Sequence, residues 1–246
     1  MKPQLGLVLA IVATGMMFWS GEGRAYRPFD GTDAAVADTG KMEIELGPVE
    51  YLKQGLDRAL LAPSTVFNYG VAPDWEVVVQ GDVTHGLSID ARGSGLANNA
   101  ALLKTVLREG SLQEQRGPSV ATEVGVLLPG IRDDHGTGGS LAGIISQQWK
   151  WGTVHLNAMA SVTRQQHADL FASAIVEGPH DWLVRPVAEV FGERDFGAFV
   201  TRSALIGAIW QVKDDISADL GLRGARMNGR NVAEIRAGIT FAFGAP

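Results

Sequence analysis

Near the end of the chain stands "RNVAEIRAGITFAF", Arg230 to Phe243. Ile235, Ala237, Ile239, Phe241 and Phe243 occupy every second position, and Glu234, Arg236, Gly238, Thr240 and Ala242 stand between them. Side chains of a strand alternate between two faces, so the segment presents one apolar face and one polar or small face. What covers each face decides the fold.

The pattern recurs upstream as runs of about ten residues ended by turn residues, the signature of a transmembrane β-barrel. "KMEIELGPVEYL", "WEVVVQGDV", "PSVATEVGVLL", "TVHLNAMASV", "WLVRPVAEVFGE" and "ISADLGLRG" alternate, whereas "ALIGAIWQV" is apolar on both faces. With "LLAPSTVFNYG", "NNAALLKTVLR", "LAGIISQQW", "DLFASAIVEG" and the closing stretch, the reading gives about twelve antiparallel strands, an even count that a barrel uses. Two stretches also fit helices. "GLANNAALLKTVLREG" spaces Leu96, Ala100, Leu103 and Leu107 helically, and "VEYLKQGLDRALL" is similarly ambiguous. Pro48, Pro63 and Pro186 fall inside expected strands, where they require bulges or breaks.

The chain starts with Lys2, an apolar run from Leu5 to Trp19 and the small residues Gly23 and Ala25, the pattern of a signal peptide cleaved after Ala25. A membrane-anchoring helix is the alternative, but the run is shorter than the roughly 20 residues a span needs. The expected organisation is a leader over 1–25, a polar segment over 26–40 and one all-β barrel over 41–246. The polar segment is either a partial plug of the lumen or a disordered tail. Without cysteine the chain has no disulfide or thiolate site, and its length buries a core without them. The net charge of −6 deepens by one when the leader leaves, which excludes a general nucleic-acid binder.

If odd strands run outward and even strands return, inner turns fall near Gly70–Asp74, Glu109–Gly117, Lys150–Trp151, Gly178–Asp181 and Lys213–Asp215. Trp75, Trp149, Trp151, Trp182 and Trp210 all lie by those turns, and Phe243 ends its strand on the same side. Trp concentrates at membrane–water interfaces, because its ring is apolar and its N–H seeks water. The same count places outer loops near Gly86–Gly95, Pro129–Gly139, Gln165–Ala168, Arg194–Ala198 and Met227–Arg230. On this reading the apolar face of the last strand meets lipid, Glu234 and Arg236 meet the lumen, and the strand closes on the first.

"YRPFDGTDAAVADTGKMEIELG", "FNYGVAPDWEV", "TEVGVLLPG" and the closing strand resemble the outer-membrane β-barrel transporter family named for the MetA pathway of phenol degradation. The resemblance spans most of the chain after the leader. It implies an outer-membrane barrel that passes small organic compounds, and it carries no residue roles. Outer-membrane proteins often end in a strand closed by Phe, so the assembly machinery is an expected partner beside the lipid bilayer and a small solute. Here Gly244, Ala245 and Pro246 follow Phe243, a departure from that ending.

Enzyme chemistry finds little footing. His85, His135, His155, His167 and His180 form no metal-ligand pair, and "RDDHGTGG" lacks the spacing of a calcium loop, so neither metal nor cofactor is expected. His155, Asn157 and Ser161 share a strand face, but positions i and i+6 lie about 20 Å apart, too far for a catalytic hydrogen bond. The polar-face charges form the candidate site: Glu43, Glu45, Glu76, Asp82, Lys104, Arg108, Glu123, Arg185, Glu189, Asp219, Arg223, Glu234 and Arg236 are expected to line the lumen. Both signs occur, so they pair across strands and narrow any path. The expected function is passive passage of small organic, hydrophobic or aromatic solutes. The competing readings are a non-conducting structural or surface-interaction barrel and a soluble periplasmic lipocalin-like binding protein.

The tryptophan girdle makes a prediction. Charged residues in place of Trp149 and Trp151 should lower the yield of assembled barrel more than the same changes at Arg132 and His135. Equal yields of heat-modifiable protein in outer-membrane extracts would remove the interface assignment.

Overall fold

A computed structural model describes residues 27–88, 93–131 and 135–244. The expected leader, Tyr26, Arg132, Asp133 and Asp134 lie outside them. The strands are β1 (Lys41–Gln54), β2 (Asp57–Ala72), β3 (Trp75–Gly86), β4 (Gly93–Arg108), β5 (Ser119–Leu127), β6 (Gly138–Trp149), β7 (Gly152–Val162), β8 (Ala168–Glu177), β9 (Val184–Asp195), β10 (Val200–Lys213), β11 (Ile216–Met227) and β12 (Arg230–Gly244). Each pairs antiparallel with its chain neighbours, and β1 pairs with β12, so the sheet is a closed barrel. Ile44 stands opposite Phe241 and Glu45 opposite Thr240 in that seam. Closure leaves no strand edge with unpaired N–H and C=O groups.

The helix-like spacing in Gly93–Arg108 yields to the ladder. β4 pairs along its length with β3 and beside it with β5, so its backbone groups are satisfied laterally. The second ambiguous stretch is the β1–β2 hairpin. Pro48 and Pro63 sit where the register shifts, between Leu46 and Val49 and between Leu61 and Ser64. Pro186 needs no bulge. Its carbonyl accepts from the Gly178 N–H, so its missing donor faces the end of β8, where the β8 ladder has already stopped at Glu177–Val187.

The turn between β11 and β12 is Asn228-Gly229, with φ of 47° and 82°. Two successive positive φ values define the hairpin turn whose twist matches that of its strands, which is why Asn-Gly stands there. The β8–β9 turn is longer than the sequence suggests. Trp182 precedes β9, which begins at Val184, and it remains more than half exposed beside that turn. Trp149 and Trp151 stack across the β6–β7 turn with ring centroids 5.3 Å apart.

The barrel inverts the arrangement of a soluble domain. Its exterior carries half-exposed Leu141, Leu156, Leu170, Val190, Ile206, Leu220 and Ile235. Its interior holds Glu45, Asn68, Glu76, Lys104, His155, Glu189 and Glu234, each nearly inaccessible. Among the described residues a small apolar cluster is buried: Ala34, Ala35, Leu112, Ala121 and Ile144.

Candidate functional site

The interior is the site, and a piece of chain occupies it. Residues 27–39 lie in the lumen, with Thr39 bridging Gly70 near the end of β2 that leads into the β2–β3 turn, called the inner end after the sequence reading. The path is written in hydrogen bonds. The Ala37 N–H donates to Glu76 Oε2 (2.6 Å) and the Ala34 N–H to Ser146 Oγ (2.9 Å). Asn157 clasps Thr32 twice, accepting from its N–H (3.1 Å) and donating to its carbonyl (2.9 Å). Glu189 accepts from the N–H groups of Asp30 and Gly31, both at 2.8 Å. Arg236 donates to the Pro28 carbonyl (2.9 Å) and to Asp30 (2.8 Å), and Arg27 reaches Ser64 (3.3 Å) and Asp219 (3.8 Å). A backbone far from its own sheet still needs its donors paired, and lumen carboxylates and amides supply the acceptors.

The expected lumen residues can now be placed. Glu43, Glu45, Glu76, Lys104, Arg185, Glu189, Asp219, Glu234 and Arg236 are buried on the inner face. Asp82, Glu123 and Arg223 line the interior cavity with partial exposure. Arg108 does not join them. The register slips between Val106 and Arg108, so Arg108 falls opposite Val120, a residue of the other face, and is exposed.

The charges sort into three groups. Glu234 bridges Arg223 and Arg236, and Arg236 also faces Glu50 at 3.9 Å. Lys104 reaches Thr32 (3.3 Å) and Asp33 (3.5 Å) of the inserted segment. At the inner end Glu177 lies 3.4 Å from His155 and 3.8 Å from Arg185.

Sequence reasoning missed Glu50, Asn68, Ser146 and Glu177 as interior contacts, and put Asn157 on the polar strand face without its partner Thr32. Glu50 was hidden by the bulge at Pro48, which shifts the inward positions of β1 from odd to even. The proposed line of His155, Asn157 and Ser161 is not a catalytic unit. Asn157 holds Thr32 and Ser161 bonds Asp169. His155 instead lies between Ser146 (2.8 Å) and Glu177, an arrangement drawn from three strands. Serine, imidazole and carboxylate in that order suit nucleophilic catalysis, but Ser146 is fully buried and its Oγ accepts from Ala34. It anchors the inserted segment and offers no nucleophile to a substrate.

The β4–β5 turn supports the segment from below. A 3-10 turn, Ser111–Gln113, buries Leu112 against Ala34 and Ala35, and Gln113 donates to the Ala34 carbonyl (3.2 Å). Outward of the segment a cavity of about 560 Å³ remains. Phe171, Phe191, Met159 and Leu102 form apolar parts of its wall, and Glu45, Glu123 and Glu193 charged parts. The two Phe rings are 5.3 Å apart.

No protein-family model matches the chain, and no curated protein matches it in sequence. Solved structures do resemble it. An outer membrane channel from Pseudomonas putida F1 aligns with a TM-score of 0.65 at 9% identity, over 87% of this chain and 100% of that one. KdgM porin aligns at 0.56 and 8% identity, over 82% and 99% of the two chains. NanC porin aligns at 0.55 and 8% identity, over 81% and 98%. At such identities the likeness is one of fold: this chain has the barrel fold of these porins and channels.

Two substitutions should loosen the inserted segment without opening the barrel. Arg236→Met removes both bonds to Pro28 and Asp30, and breaking such a buried charged contact costs about 3–5 kcal/mol. Gly70→Leu acts sterically, since even a Cβ there would lie 2.2 Å from the Asp38 carbonyl oxygen. Because the chain has no other cysteine, Thr32→Cys reports position by maleimide labelling. The thiol should be protected in the parent and react rapidly in either variant, while heat-modifiable migration stays unchanged. Equal protection in all three would show that these contacts do not hold the segment.

Proposed function

We propose that the chain is an outer-membrane channel for passive passage of small organic solutes, with residues 27–39 as a plug across its lumen. One observation carries this reading: a polar lumen is crossed by a thin segment held through hydrogen bonds and ion pairs, with an open cavity beyond it. A structural barrel has no need of a cavity lined jointly by aromatic rings and carboxylates.

The exterior supports the membrane. Exposed Val, Leu, Ile and Phe side chains surround the barrel, and an apolar surface of that extent needs cover other than water. Trp75, Trp149, Trp151, Trp182 and Trp210 stand exposed near the inner turns, at the depth where one bilayer interface would lie. Lipid is therefore the exterior partner, and the assembly machinery would read the closing strand that ends near Phe243. A leader over residues 1–25 would deliver the chain to that membrane.

The solute class follows from the cavity wall. Phe171, Phe191, Met159 and Leu102 favour an apolar or aromatic body. The carboxylates nearby disfavour anions and accept hydrogen bonds from hydroxyl groups. Small neutral aromatics bearing a hydroxyl satisfy both, which accords with the resemblance to transporters named for phenol degradation. The other lumen charges largely pair with one another and with the plug, as Glu234 does with Arg223 and Arg236 and Lys104 with Asp33, leaving Glu45, Glu123 and Glu193 to meet the solute.

Liposomes decide the matter. Purified mature protein should give slow efflux of a trapped neutral phenolic solute, and the form lacking residues 26–40 should release it several-fold faster. A larger charged sugar should gain less from the deletion. No permeability to any small solute in either form would sink the channel reading and leave a structural barrel.

A further inference from the structure

The exterior near the outer ends of β9, β10 and β11 carries charge that the lumen does not explain. Arg194, Arg202 and Arg226 all lie on the outward face and are exposed. Arg202 stands directly opposite Arg226 in the β10–β11 ladder. Arg194 lies on the other side, its guanidinium 4.8 Å from the Phe196 ring. Like charges directly opposite on a sheet repel, and beside a lipid phase water screens them poorly. No hydrogen bond or ion pair to another described residue engages Arg202 or Arg226. The carboxylates of these strands, Glu189, Glu193, Asp195 and Asp219, belong to the opposite, inward face. An anion from outside the chain is what this pair lacks.

A second feature adjoins the first. An exterior groove of about 760 Å³ runs across β6 to β10, with Arg194 and Arg202 among its lining. Its floor is one cross-strand row: Gly143 opposite Ala158, Ala158 opposite Ala172, Ala172 opposite Gly192, and Gly192 opposite Arg202. Leu141 and Leu170 flank the row. The barrel itself does not require the two glycines of the row, since a Cβ at Gly143 or Gly192 would meet nothing within 4 Å. The row is also inclined. The parallel row from Glu43 passes through Asn68, Val78, Leu102, Gly125, Ser140, Ser161 and Asp169 to Asp195. It climbs from near the inner start of β1 to the outer end of β9. The groove therefore descends from the arginines at the outer rim toward the middle of the barrel.

From this geometry we infer a binding site for a phosphorylated, multiply acylated lipid of the outer leaflet, of the lipid A type. Its phosphate bridges Arg202 and Arg226, with Arg194 at the edge, and an acyl chain lies along the groove floor. Guanidinium groups suit this task because they meet phosphate oxygens with paired N–H donors. The inference rests on the membrane reading above, and is independent of whether the lumen conducts.

Native mass spectrometry of the detergent-solubilised barrel tests it, with bisphosphorylated hexa-acyl lipid A, its dephosphorylated form and inorganic phosphate as probes. The unaltered protein should hold one bisphosphorylated lipid A, bind the dephosphorylated form far less, and retain no inorganic phosphate. The double variant R202Q/R226Q should bind lipid A roughly tenfold more weakly or worse, as loss of charge-assisted hydrogen bonds implies. Gly192→Leu, which fills the groove and keeps the arginines, should weaken it as well. Equal binding of both lipid A forms by the unaltered protein overturns the site, and needs no variant to fold. Unchanged binding in R202Q/R226Q, with heat-modifiable migration intact, overturns it too. Recovery of the chain as a soluble species without detergent would instead remove the membrane reading beneath it.

Discussion

A sheet edge leaves backbone N–H and C=O groups unpaired, and the seam between β1 and β12 is where this chain removes that edge. Eleven of the twelve ladders follow from chain neighbours meeting through turns. The twelfth joins the two ends of the barrel and leaves no sheet edge. Closure then imposes the rest. Most strands alternate, because one face is turned outward and the other into a confined interior, and the middle of β10 is apolar on both with Leu205 and Ile209 inward. The interior of a twelve-strand barrel is wider than its own side chains fill, since about eight strands suffice for a packed one. Something else has to occupy the space, and residues 27–39 do so together with Leu112 from the β4–β5 turn.

The way they occupy it bears on function. The segment brings few large apolar groups; Ala34, Ala35 and Ala37 are its buried hydrophobic residues. Its hold is polar, through Glu76, Ser146, Asn157, Glu189 and Arg236. A neutral hydrogen bond exchanged for one to water contributes only about 0.5–1.5 kcal/mol net and one to a charged group about 1.5–3, so the hold is a sum of separable polar contacts and not one buried apolar face. A segment held this way can be ordered and still be displaced by solvent or solute. It leads directly into β1 at Lys41, so on release it stays tethered at the inner mouth.

Strand number and order were legible because alternation and turn residues are local signals, and here every strand pairs with its chain neighbour. Most lumen charges were legible for the same reason. The failures have local causes too. Arg108 lies beyond a bulge that adds one residue to β4, and Glu50 lies beyond the bulge at Pro48. A one-residue slip exchanges the two faces, and nothing in the alternation announces it. Entry of residues 26–40 into the lumen was one of two expectations, but the course of residues 27–39 and their partners were not legible. Those partners come from strands on every side of the barrel, so no sequence period encodes the path. The same holds for Ser146, His155 and Glu177, brought together from three strands.

The two faces also answer to different electrostatics. In the lumen opposite charges meet: Glu234 has Arg223 and Arg236, Glu177 has Arg185, and Asp219 has Arg27. In the proposed channel, such pairing would let an uncharged solute pass without stripping water from an isolated ion. On the exterior, Arg202 and Arg226 face each other with no acid from the described strands. Were they merely a means of keeping the outer rim wet, lysines or polar residues at any spacing would serve, and direct opposition would be the arrangement to avoid. Two guanidiniums set across one ladder, above a groove whose glycines have room for larger side chains, instead make a place where a divalent anion with an apolar tail lowers the energy of both features together.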